Sequence, residues 1–154
     1  MIAQKVFNKL LKKGLTIAFS ESMTGGFVSA ELVKISGASK VFKGSIIAYQ
    51  KLTKVNILGI SEDLFNQYSM VSEEVAKHMA TNVSIKCESD IGVGITGNAG
   101  PDLEPQTSDK NAFVAIKINN EIYVFEIDLK GLSRIQSIRK VVRFIYQKLD
   151  DLIS

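Results

Sequence analysis

Apolar residues fall at Ile2, Val6, Phe7, Leu10 and Leu11, with lysines and other polar residues between them. That spacing lays one apolar stripe along a helix and predicts a helix from residue 2 to about 13. Gly14 follows where a left-handed residue commonly closes a helix. The pattern then changes. Leu15-Thr16-Ile17-Ala18-Phe19 is a short apolar run that reads as a buried strand. Ser20 to Gly26 is polar and glycine-bearing, and reads as a loop. From Phe27 the helical period returns, with Val28, Leu32 and Ile35 on one side and a turn over Ser36 to Ser39.

Phe42 to Gln50 predicts the second strand. Thr53 to Leu58 reads as a short helix stopped at Gly59. Ser61 is placed to cap a short helix over Glu62 to Tyr68, and Ser72 to cap a longer one to about Cys87, with acids in each first turn. Asp90 to Ile95 predicts the third strand. In it Gly92 and Gly94 alternate with Ile91, Val93 and Ile95, so one face lacks side chains and must admit a helix or a ligand very closely. After Thr96 to Pro101 and a polar loop over residues 102–110, two runs remain. Asn111 to Ile118 and Glu121 to Leu129 predict strands joined at Asn119-Asn120, a hairpin signal because Asn tolerates positive φ. Beyond Gly131, Leu132 to Ile153 predicts a long helix with Ile135, Ile138, Val142, Ile145, Leu149 and Leu152 facing inward.

Strands one to three are linked through helices, which favours parallel pairing, while the hairpin brings in an antiparallel strand. The fold class expected is α/β: a three-layer α/β/α single domain, residues 1–154, around a mixed, mostly parallel five-stranded sheet. The 154 residues, 45% of them apolar, suffice for one core without disulfides or metals. A lone cysteine, Cys87, rules out an internal disulfide and predicts a reducing, cytoplasmic setting. No apolar run approaches the roughly 20 residues that span a bilayer. The start, Met1 to Lys5, lacks the apolar stretch of a signal peptide. The net charge of +3 is scattered along the chain, which disfavours direct nucleic-acid binding and permits a small anionic ligand. The only histidine, His78, lies within a predicted helix and reads as an ordinary helix residue. With one Cys, one His and dispersed acids, no metal site is expected.

The chemistry-bearing residues cluster where strands end. Ser20-Glu21-Ser22-Met23-Thr24-Gly25-Gly26 and Thr96-Gly97-Asn98-Ala99-Gly100-Pro101 each follow a strand, and Tyr49 and Lys54 follow another. In α/β proteins ligands bind at those ends, so Ser22, Thr24, Tyr49, Lys54 and Thr96 are candidates for a shared cleft. Ser with Lys and Tyr is a way to activate a hydroxyl without histidine. A lysine in a partly dry site can lose its proton near neutral pH and act as base. The Gly25 and Gly26 N–H groups are candidates to hold an oxyanion or a phosphate. The reaction class suggested is attack on an acyl or amide carbon. Singly, each feature has a plainer explanation, and spacing alone favours it: Tyr49 a strand aromatic, Lys54 a solvated lysine beside Lys51, the glycine loops bare turns.

In combination they carry more. Glu21-Ser22-Met23-Thr24-Gly25-Gly26, Tyr49 followed five residues later by Lys54, Leu58-Gly59-Ile60, Val71-Ser72-Glu73-Glu74 and Thr96-Gly97-Asn98-Ala99-Gly100-Pro101-Asp102 occur in this order. The chain thereby resembles the C-terminal domain family of CinA, the competence/damage-inducible protein, over about residues 1–150. Stand-alone members of that family are nicotinamide mononucleotide (NMN) deamidases. The resemblance implies hydrolysis of the NMN carboxamide to nicotinate mononucleotide and ammonia, a step of pyridine nucleotide salvage, without metal or cofactor. It implies Ser22, Tyr49 and Lys54 as catalytic residues: Ser22 attacks or positions the water, Lys54 is the base, and Tyr49 aids proton transfer. It implies that the glycine-rich loops hold the nucleotide, through Glu21, Thr24, Gly25, Gly26, Thr96, Gly97 and Gly100. A homodimer is also implied. Activity of the other CinA half, a molybdopterin-binding-like domain, is not expected here.

The chain departs from the family pattern at Met23, usually Cys, at Gln50-Lys51-Leu52-Thr53, and after Asp102, where Leu103-Glu104-Pro105 and later Phe113 stand. Phe113 replaces a glycine and is expected to fill part of the pocket. Arg134 and Arg139 are the nearest counterparts of the family's arginines in the last helix. Two alternatives follow: a non-catalytic nucleotide- or partner-binding domain, or a related amidase with another substrate.

Overall fold

The structure, a computed structural model, describes residues 1–102 and 110–154. The first helix, α1 (Ile2–Lys13), ends at Gly14, whose left-handed backbone (φ 66°) returns its N–H to the Leu10 and Leu11 carbonyls. Strand β1 (Ile17–Glu21) leads to α2 (Phe27–Val33), a 3-10 turn (Ala38–Lys40) and β2 (Phe42–Ile47). Next come α3 (Lys51–Asn56), α4 (Glu62–Gln67) and α5 (Glu73–Cys87). Ser61 and Ser72 cap the last two, accepting from the N–H groups of Asp63 and Val75. Strand β3 (Ile91–Gly97), the hairpin β4 (Asn111–Ile118) and β5 (Glu121–Asp128), and α6 (Arg134–Leu152) complete the described elements. Asn119 takes the positive φ of 56° that the hairpin demands.

The strands lie in the order β2-β1-β3-β4-β5. β1 pairs in parallel with both β2 and β3, and β3–β4 and β4–β5 pair antiparallel, so β4 alone opposes the other four. This is the mixed α/β sheet expected. Alternation along β1 sends Ile17 and Phe19 to one face, where α1, α2 and α6 contribute Leu10, Val28, Leu32, Ile145 and Leu149 to the main core. Ala18 faces the other side with Met79 and Val83 of α5. Burying a side chain such as Phe19 contributes about 1.5–3 kcal/mol.

The bare face of β3 is covered by a helix, not a ligand. A Cβ on Gly92 would fall on the Ala80 carbonyl oxygen, and one on Gly94 would lie 2.6 Å from the Ala80 nitrogen. Phe113 faces the same side. It pairs with Thr96 across β3–β4 and packs against the cluster of Ala76, Ala80 and Ala115.

Several boundaries differ from the sequence reading, each for a local reason. β1 begins at Ile17, because Thr16 is held at its N–H and hydroxyl by the Asp90 carboxylate. It extends through Ser20 and Glu21, which pair with Ile46 and Ile47. β2 stops at Ile47, since Gln50 adopts the extended N-cap conformation and α3 starts at once. α6 starts at Arg134, fixed by a capping box between Ser133 and Gln136. Most of the 102–110 loop, including Leu103, Glu104 and Pro105, lies outside the described residues. Among the described residues, no helix is long and apolar enough to cross a membrane.

Candidate active site

The parallel strands β2, β1 and β3 end together, so Ala48-Tyr49, Ser22 and Asn98 emerge side by side, Ser22 in the middle. The Ala48 N–H donates to the Glu21 carbonyl at 2.8 Å, which extends the β1–β2 ladder one step and fixes the Ala48–Tyr49 carbonyls. α3 then folds back and brings Lys54 beneath them. Lys54 is fully buried. Lysine is almost never fully buried without partners. Here Nζ lies 2.6 Å from the Ala48 carbonyl oxygen, 3.1 Å from that of Tyr49 and 3.0 Å from Ser22 Oγ. Lys51, three residues earlier, instead reaches Glu62 at the surface, 3.3 Å away.

Tyr49 meets this pair through its main chain. Its carbonyl also lies 3.5 Å from Ser22 Oγ, at the limit of a hydrogen bond, whereas its ring is half exposed and its hydroxyl accepts from Arg134 Nη2 at 2.7 Å. Arg134 Nη1 donates to the Gly100 carbonyl, also at 2.7 Å. The guanidinium thus ties the first turn of α6 to the loop after β3 and to the end of β2. Ser22, Met23, Tyr49, Gly97, Asn98, Ala99, Asp102 and Arg134 line a cavity of about 100 Å³.

The other residues named from the sequence divide. Gly97 lines the cavity and must be glycine, because a Cβ there would lie 2.5 Å from Met23 Sδ and 2.7 Å from the Ala112 Cβ. Gly100 contributes its carbonyl to Arg134. Thr96 is turned away, its hydroxyl donating to the Met70 carbonyl at 2.7 Å. Thr24 is buried outside the lining, its hydroxyl unbonded among the described residues.

Glu21, Gly25 and Gly26 differ most from the expectation. The Gly25 N–H closes a turn onto the Ser22 carbonyl at 3.0 Å, and the Gly26 N–H donates to Glu21 Oε1 at 3.1 Å. Neither is open to an incoming anion. The Glu21 carboxylate itself points into α2, away from the cavity. Phe113 does not line the cavity either, so it does not block the pocket as expected. A strand side chain's face follows from register, and register was not legible from a single substitution.

The sequence reading did not assign Met23, Asn98 or Asp102 to the site, and it named Arg134 only with Arg139, as a counterpart of the family's arginines; of that pair the cavity takes Arg134. For Arg134 a signal existed: a cation in a helix's first turn opposes the helix dipole, which marks a side chain committed elsewhere.

The model of the CinA C-terminal domain matches residues 1–153. The chain belongs to the CinA C-terminal domain family. A CinA-like protein of Dictyoglomus turgidum is 42% identical over 133 residues, covering 84% of this chain and 32% of that protein. A putative competence-damage inducible protein of Bacillus cytotoxicus is 37% identical over 153 residues, covering 96% of this chain and 37% of its own length. The chain therefore spans about a third of the length of these curated relatives. Among solved structures, a CinA superfamily protein from Klebsiella pneumoniae superposes with a TM-score of 0.94 at 22% identity, over 99% of this chain and 95% of that one. The competence or damage-inducible protein of Enterobacter asburiae gives 0.94 at 25% identity, over 99% and 96%. The α/β architecture is thus that of the CinA family.

Proposed function

We propose that this CinA-family domain is an amidohydrolase that converts NMN and water to nicotinate mononucleotide and ammonia. The observation that carries the reading is the fully buried Lys54 with its Nζ 3.0 Å from Ser22 Oγ. Lys54 Nζ donates to the Ala48 and Tyr49 carbonyls and to Ser22 Oγ, and the base is the amine left when the proton facing Ser22 is lost. Ser22 Oγ adds to the carboxamide carbon while Lys54 takes its proton. The C–N bond then breaks, the Lys54 proton leaves with ammonia, and water hydrolyses the Ser22 ester, releasing carboxylate and restoring the hydroxyl.

The negative oxygen formed on addition needs a donor. Gly25 and Gly26 are engaged, but the Met23 N–H makes no hydrogen bond among the described residues. Met23 follows the nucleophile and lines the cavity, the relation that supplies an oxyanion donor in other serine hydrolases. We assign the oxyanion to it. The cavity's roughly 100 Å³ suits the amide-bearing end of a substrate, since whole small-molecule sites run to about 300–1,000 Å³. Arg134 at its rim is the cation for the substrate's phosphate.

The test is ammonia and nicotinate mononucleotide release from NMN by the wild type and by Ser22→Ala. Release by the wild type, reduced at least about 100-fold in Ser22→Ala, is expected. Saturable NMN binding without release would leave a binding domain instead.

A further inference from the structure

Glu21 and Ser22 are adjacent, yet they serve opposite sides of the strand end. Ser22 faces Lys54. Glu21 is fully buried against α2, and its carboxylate accepts from the N–H groups of Gly26 (3.1 Å), Val28 (3.0 Å) and Ser29 (3.0 Å) and from the Ser29 hydroxyl (2.5 Å). The Ser29 hydroxyl also meets Ser45 Oγ on β2 at 2.5 Å. With the Ser29 proton directed at Glu21, Ser45 is the donor of that second bond. Among the described residues no lysine or arginine pairs with Glu21. A buried carboxylate held by hydrogen bonds alone has one geometry open to it, because every displaced bond leaves a desolvated charge.

That geometry reaches both members of the reacting pair. The carboxylate closes the chain from residue 21 to the start of α2, and inside that closure Gly25 N–H returns to the Ser22 carbonyl. The Glu21 carbonyl receives the Ala48 N–H, and the Ala48 carbonyl in turn accepts from Lys54 Nζ. We infer that Glu21 is a positioning residue for the Ser22–Lys54 pair, and that it fills from within the chain the anion position at the start of α2. The substrate's negative group therefore binds elsewhere in the cleft. The chemistry of this inference rests on the amidohydrolase reading; its geometry does not.

The experiment is Glu21→Gln, which keeps the shape but turns an amide nitrogen toward backbone donors, with Ser29→Ala beside it. Two quantities are read: kcat and KM for NMN, and the Ser22 Oγ–Lys54 Nζ distance in crystals of each variant. In Glu21→Gln, kcat falls about 10- to 100-fold, as for loss of hydrogen bonds to a charged group, KM stays within about threefold, and the 3.0 Å contact of the wild type opens. Ser29→Ala moves both in the same direction by less. An intact contact with unchanged kcat overturns the inference. So does a rise in KM alone, which would return Glu21 to the substrate. If Glu21→Gln does not fold, Ser29→Ala decides on the same two readouts. If the wild type does not hydrolyse NMN, the proposed reaction fails, and the crystal distances still decide the positioning role.

Discussion

Tyr49 and Lys54 touch Ser22 in chemically different ways, and this separates their roles. Lys54 presents its side-chain nitrogen, 3.0 Å from Ser22 Oγ, while Tyr49 presents a backbone carbonyl that any residue would supply. Its phenol oxygen accepts from Arg134. Lys54→Met, with similar bulk and no base, is expected to lower kcat by about 10²–10⁴-fold, the range for a general base. Tyr49→Phe keeps the carbonyl and loses only the Arg134 link, so its kcat is expected to stay within about tenfold of wild type. Steady-state NMN hydrolysis by both variants checks this. Equal losses would put the phenol in the proton path, as the family resemblance implied. The same pair shows how far single residues were legible. Lys51 and Lys54 look alike in sequence, three apart on a short helix, but one reaches Glu62 at the surface and the other lies beneath a strand end. Only the return of α3 onto the β2 terminus distinguishes them, and that is a tertiary fact. The resemblance, not the spacing, picked Lys54 out.

Close packing of α5 on β3 fixes the sheet face next to the site, and the two glycines that permit it are irreplaceable for steric reasons. A Cβ on Gly94 would lie 2.6 Å from the Ala80 nitrogen and 2.8 Å from the Met79 Cβ. Strand and helix backbones oppose each other there, so no side-chain rotation relieves the clash. Gly94→Ala is expected to cost about 3 kcal/mol or more, at the upper end for overpacked cores. Gly25→Ala has free space around the new methyl but a φ of 51°, and is expected to cost only about 1–2 kcal/mol. Urea unfolding of both measures the difference, and equal costs would mean that α5 yields. At this scale the sequence was informative where a pattern repeats. The helical stripe of α1, the serine caps and the Asn119 turn all stand where they were expected. The alternating glycines showed that something approaches β3 closely, without showing that it is a helix. The glycine-rich loop after β1 misled for a similar reason: its N–H groups suit an anion, and nothing in the string says that the neighbouring Glu21 is that anion.

Across the whole molecule, strand order and layer assignment bring the three strand ends together, and the long-range bonds that fix the layers are the part no local pattern reveals. Tyr146 is one. It lies in α6, 118 residues from its partner, with its ring 6.3 Å from that of Phe19 and its hydroxyl donating to the Val28 carbonyl of α2 at 2.5 Å. It thereby locks α6 onto the same short helix that holds Glu21. Burial first, then the carboxylates of Glu21 and Glu31, push its phenol far above the ordinary value of 10. The sign of the consequence follows from proton counting. In the unfolded chain Tyr146 loses its proton near pH 10, whereas the folded protein keeps it. Above that pH the unfolded state binds fewer protons, and stability falls as pH rises. The contribution is fully present below about pH 10, and is lost at a limiting slope of about 1.4 kcal/mol per pH unit above it. Tyr146→Phe removes the titrating group and keeps most of the buried ring. Urea unfolding of both proteins between about pH 9 and 11 is therefore expected to show a wild-type advantage that shrinks by about 1.4 kcal/mol at the alkaline end. The subtraction cancels the lysines and exposed tyrosines common to both. An advantage independent of pH would mean that the phenol ionises in the folded protein as it does in water, so that α6 opens from α2 before the molecule unfolds.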